Sequence, residues 1–162
     1  MVSRVHERCL PERIDCRRIG NLQSIHMTEQ ILRVTATDSA RALITTLREK
    51  HGDLMFHQSG GCCDGSAPMC YPKGEFIIGD YDRLLGYIGG APFYISGPQF
   101  EYWKHTQLII DVVPGRGGMF SLDGPEGLRF LTRSRLFTET EWAKLAMIEN
   151  EATPLGKELL PS

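Results

Sequence analysis

The stretch TDSARALITTLREKHGDLMFHQSGG, residues 37–61, changes its apolar period halfway along, and that change sets the class of fold. In its first half Ala40, Leu43, Ile44 and Leu47 recur at offsets of three and four, which places them on one face of a helix. The spacing predicts a helix from Thr35 to Gly52. Thr37 is its candidate N-cap, Arg48, Lys50 and His51 suit its negative C-terminal end, and Gly52 stops it. In the second half Leu54, Phe56 and Gln58 alternate with Met55, His57 and Ser59. That is the period of a strand, and it runs straight into Gly60-Gly61.

Downstream, short strands are expected at Glu75–Gly79, Leu84–Ile88, Pro92–Ile95, Gln107–Val113 and Met119–Leu122. Turn residues such as Gly89-Gly90 and the 114–118 segment PGRGG separate them. One or two helical turns are expected from Pro98 to His105. Thr138, with Glu141 three residues later, reads as a capping box opening a last helix to Asn150. Seventeen glycines and nine prolines in 162 residues argue for many tight turns and against a helical bundle. The expectation is an α+β domain over residues 27–152, a compact, mainly antiparallel sheet assembly with one packed N-terminal helix and a C-terminal helix. Residues 153–162 read as a frayed end. Residues 1–26, where five arginines mix with Glu7, Glu12 and Asp15 without a sustained apolar period, read as a disordered extension before a second candidate start at Met27.

Eighteen basic against twenty acidic side chains leave a formal net charge of −2. No global basic field therefore favours nucleic acid or an anionic membrane. No stretch approaches the ~18 apolar residues of a membrane span, nor does the N-terminus carry the apolar core of a secretory signal. Five cysteines are too few and too oddly placed for a secreted disulfide scaffold. A cytoplasmic, reducing location is the expectation.

Three of the five cysteines, Cys62, Cys63 and Cys70, fall within nine residues, and His57 stands five positions ahead of the pair. A glycine-rich turn lets such a chain fold back so that thiolates and an imidazole converge, a donor set that suits iron or zinc and less readily an iron–sulfur cluster. Cys62, Cys63, Cys70 and His57 are thus the candidate metal ligands. Adjacent cysteines seldom both ligate one tetrahedral ion, so one of the pair is expected to point elsewhere. Two other readings stay open: thiol redox chemistry, with Cys70 resolving a disulfide to Cys62 or Cys63, and plain packing of small apolar side chains. Elsewhere His105 reads as a cation at a helix end and Asp64 as a turn residue. Arg116 reads as a solvated hairpin tip or as a guanidinium offered to an anion. No dinucleotide fingerprint, phosphate-loop lysine, nucleophile elbow or His-Glu-x-x-His is present, so a non-enzymatic role is expected.

The runs LMFHQSGGCCDGSAPMCYP, GGAPFYISGPQFEYWKHTQLIIDVVPGRGGMFSLDGPEG and RFLTRSRLF resemble an uncharacterised bacterial family of small proteins encoded near aldehyde and alcohol dehydrogenases. The resemblance covers roughly residues 31–142. It implies an accessory or carrier role with a dehydrogenase as partner; a homodimer is a separate expectation. More distantly, Gly61, Cys63 and Gly65, the Leu108–Val112 strand and the Gly118-Met119-Phe120 that follows are similar to the HesB-like, A-type iron–sulfur carrier domain. The cysteine pair that closes that domain has no counterpart here, where Leu131-Thr132-Arg133-Ser134 stands. Alternatives to the metal carrier are a small thiol-redox enzyme and a non-catalytic binding module for a dehydrogenase or a small ligand, with Tyr94, Phe100, Tyr102 and Trp103 as an exposed apolar surface.

Overall fold

A computed structural model describes residues 30–60 and 66–152. The expected extension at 1–26, the frayed end at 153–162, and Cys62, Cys63 and Asp64 lie outside the described residues. The chain divides after Gln30, and every described helix and strand lies in the unit that begins at Ile31.

Strand β1 is Val34–Ala36, and helix α1 is Asp38–His51. The helix starts three residues later than its apolar period predicts, because Thr35 and Ala36 pair with Ile109 and Ile110 in a parallel ladder. Thr37 still caps it: its hydroxyl oxygen accepts the Ala40 N–H at 3.2 Å and its hydroxyl donates to Asp111 Oδ1 at 2.9 Å. The cap thereby ties the helix start to a strand far along the chain. Gly52 ends the helix at φ +79, a conformation that glycine adopts without strain.

The remaining elements are β2 (Leu54–Gln58), β3 (Pro68–Pro72), β4 (Asp82–Ile88), β5 (Ala91–Ser96), α2 (Gly97–Trp103), β6 (Thr106–Pro114), β7 (Leu128–Leu136) and α3 (Glu139–Ala152). A three-stranded sheet runs β1-β6-β7 and a four-stranded sheet runs β3-β2-β5-β4. Both are mixed: β1–β6 and β2–β5 are parallel pairs whose members lie far apart in sequence, while the other three ladders are antiparallel, so most of the pairing is antiparallel. The sheets face each other. Phe56 meets Phe93 in a stacked pair and Phe130 of the other sheet edge-on at 5.1 Å between ring centres. Val34, Ile95, Leu108 and Ile110 complete that layer, and Ala40, Leu43, Ile44 and Leu47 of α1 join the same core.

Three expectations change. Glu75–Gly79 is a turn and irregular chain, not a strand. Phe76 lies on the rings of Tyr71 and His57, while Ile77 is exposed, so packing rather than a ladder places this segment. Met119–Leu122 forms turns, with Met119 and Phe120 exposed and the Ser121 N–H bonded back to Gly118 O. Pro68–Pro72, a segment for which no strand is expected, is a strand paired with β2.

Candidate functional site

His57 and Cys70 sit on opposite faces of one sheet. In the β2–β3 ladder Phe56 is opposite Cys70 and His57 is opposite Met69. Successive strand residues face opposite ways, so Cys70 points with Phe56 into the core and His57 points out. Cys70 is fully buried. Burial, and secondarily the charge of Asp123, push its thiol far above the usual thiol range, which keeps it neutral and a poor ligand or nucleophile. On the outer face the His57 ring lies 4.6 Å from the Phe76 ring centre. Its Nε2 is 3.2 Å from Asp82 Oδ1 but makes no hydrogen bond to it. The sheet therefore separates the two described members of the expected ligand set, and they do not fit one ion. Among the described residues no three His, Cys, Asp or Glu side chains converge. No helix among them is long and apolar enough to cross a membrane.

A polar cluster does hold the root of the cysteine loop. The Ser59 N–H donates to Ala67 O at 3.0 Å, and the Ala67 N–H returns a bond to Ser59 Oγ. Buried Gln58 donates to Ser66 Oγ and accepts from the Thr132 hydroxyl, both at 2.9 Å, which links the loop root to β7. Gln99 of α2 donates to Ser59 O. Both ends of the buried Gln58 amide are thus engaged, as burial requires.

Beside this root opens a cavity of about 210 Å³. One wall is Ser59, Ala67, Pro68 and Met69; the other comes from Arg116, Gly117, Gly118 and Asp123 in the β6–β7 connection and from Arg129 and Phe130 of β7. The connection is shaped by Asp123, whose carboxylate is 1% exposed. Oδ2 accepts the Phe130 N–H at 2.9 Å, and Oδ1 accepts a very short bond from the Ser121 hydroxyl. Ser121 Oγ in turn accepts the Cys70 N–H, and the Leu122 N–H donates to Cys70 O. The buried carboxylate therefore staples a glycine-rich turn to both β3 and β7. A Cβ on Gly117 would come within 2.6 Å of it, so only glycine lets the backbone pass.

The two cavity arginines differ from several of their counterparts elsewhere. Arg33, Arg48, Arg133 and Arg135 each pair with a carboxylate. Arg116 and Arg129 have no ion pair or hydrogen bond within the described residues, and both are exposed. Of the sequence candidates, Arg116 is the one the structure places in a concave site. Asp123 and Arg129 escape a sequence reading because β7 carries no clean alternation and Asp123 precedes Gly-Pro, where a turn role is the ordinary one. Of the four aromatics expected on the surface, Phe100 is buried, Tyr94 and Trp103 are half-buried, and only Tyr102 is exposed. His105 lies against Trp142, 4.4 Å between ring centres.

No curated protein matches the chain. Its residues 43–136 match the family described as Domain of unknown function (DUF779), and the chain belongs to that family.

Proposed function

We propose that the protein is a non-catalytic binding module for a small anionic ligand, held in the cavity between the cysteine-loop root and the β6–β7 connection. The observation that carries this reading is the pair of guanidiniums, Arg116 and Arg129, that line a concave surface without a carboxylate partner among the described residues. Guanidinium forks bind planar oxyanions strongly where water is partly excluded. The buried, neutral Cys70 favours binding over thiol chemistry at this site. A cytoplasmic accessory role beside an aldehyde or alcohol dehydrogenase, and a HesB-like ancestry for the paired sheets, are compatible with such a module.

A ligand that binds only the folded state raises the melting temperature with its concentration. In low-salt buffer at least one of acetate, butyrate, sulfate and phosphate should do so saturably, and the Arg116→Ala Arg129→Ala double variant should lose the effect. If no anion stabilises the protein, or the double variant responds like the parent, the reading fails.

Metal binding is the second reading, and it is favoured by the Ser59–Ala67 hydrogen bonds that close both ends of the stretch carrying Cys62 and Cys63. Iron or zinc would then be held by one of that pair with donors other than His57 and Cys70 acting together. Elemental analysis of anaerobically purified protein should give metal that Cys62→Ser or Cys63→Ser removes and His57→Gln retains.

A further inference from the structure

The cavity carries more information than its sign of charge. Among the described residues its titratable lining is two guanidiniums and one carboxylate, a net charge of +1. Asp123 cannot withdraw, because both its oxygens are bonded and Gly117 lies over it. A dianion entering beside Arg116 and Arg129 would meet that fixed negative charge in a partly desolvated place, whereas a monoanion leaves the site neutral. The wall facing the connection is of another character: half-buried Ala67 and Met69 offer carbon and sulfur, with Pro68 and Phe130 buried behind them. At ~30 Å³ per molecule of liquid water, about 210 Å³ has the volume of about seven waters. That is room enough for a short organic acid.

We infer that the ligand is a short-chain monocarboxylate, its carboxylate held by Arg116 and Arg129 and its hydrocarbon chain laid on Met69 and Ala67. The inference rests on the reading of this cavity as an anion site and adds to it the charge and the apolar tail. A planar carboxylate meets a guanidinium fork in two parallel bonds, and the apolar wall rewards chain length.

The test is a titration series on the full chain, by calorimetry in low-salt buffer near neutral pH, with acetate, propionate, butyrate and inorganic phosphate. Affinity should rise by about three- to fourfold per added methylene, the fold-change equivalent to ~0.8 kcal/mol per buried CH2, and phosphate should bind more weakly than butyrate. Met69→Ser should flatten the chain-length trend while leaving acetate binding within about twofold, and Arg129→Ala should weaken every carboxylate at least tenfold. Phosphate binding as tight as butyrate, lost in the Arg116→Ala Arg129→Ala variant, would overturn the monocarboxylate and leave the anion module standing. Absence of binding by all four ions, or butyrate affinity unchanged in that double variant, would overturn both. A chain-length trend that survives Met69→Ser also overturns the inference, since the tail would then lie elsewhere.

Discussion

Asp123 is the side chain on which the site turns. A carboxylate buried to 1% exposure without a cation is costly unless its lone pairs are filled, and here the Phe130 N–H and the Ser121 hydroxyl fill them. Asp123→Asn puts an amide donor where one of those donors now points. It should cost about 1–3 kcal/mol, read as a lower urea midpoint at unchanged slope. Cys70 gives a second, pH-dependent expectation. Its folded thiol is pushed up from the ordinary value of 9.0, so the stability linked to it is whole below pH 9 and is lost as pH rises and the unfolded thiol ionises while the folded one does not. The loss amounts to as much as about 1.4 kcal/mol per pH unit. Unfolding measured between pH 8 and 10.5 should fall more steeply in the parent than in Cys70→Ala. An identical slope in the two would mean that the thiol is not buried in this way.

At α1 and α3 a side-chain cap marks where the helix begins. Thr138 and Glu141 form a reciprocal box at the start of α3: the Glu141 N–H donates to Thr138 Oγ1 at 3.2 Å and the Thr138 N–H to Glu141 Oε2 at 2.8 Å. The Arg135 guanidinium, and then the Thr138 N–H, hold the Glu141 carboxyl down to about 2. Thr138→Ala should cost about 0.5–2 kcal/mol, seen as reduced ellipticity at 222 nm. Because the folded carboxyl is lowered, the support it lends α3 is present above its ordinary 4.5 and is lost as pH falls toward about 2. Acid-induced fraying of α3 should therefore begin at higher pH in Arg135→Gln. Both helix caps were legible because a cap is a local interaction, written within four residues. The start of α1 was legible at Thr37 but not at Thr35, since β1 exists only through its pairing with β6. β7 was not legible either: Thr132 and Ser134 alternate on the face of buried Phe130, Arg133 and Arg135 on the other, and every residue from Arg133 to Leu136 is exposed. Apolar alternation thins out there because the strand's polar residues are satisfied by Gln58, Asp111 and Gln107, far away in sequence.

Across the full domain, the contact of Phe56 with Phe93 and Phe130 joins the two sheets. Deleting the central ring leaves a void that both sheets line. Phe56→Ala should cost about 3–5 kcal/mol, measured by denaturant unfolding, and should be felt by probes in both sheets at once. The other side of the sheet pair is closed at Gly86, beside the irregularity in the β4–β5 ladder. Its φ of +153 disfavours a side chain, and a Cβ there would press on Val34 of β1 at 3.2 Å. Gly86→Val should accordingly destabilise the protein more than a surface substitution on the same strand such as Arg83→Ala. Local order along the chain is enough to set the apolar face of α1, the stop at Gly52, the strand that follows, the Gly89-Gly90 hairpin and the two helix caps. All depend on neighbours within a few residues. The parallel pairing of β1 with β6, the placing of Cys70 and His57 on opposite faces, and the meeting of Arg116, Asp123 and Arg129 in one cavity come from tertiary contact instead. A ladder partner and a cavity wall are supplied by residues distant in the chain, and periodicity carries no record of which distant segment will arrive.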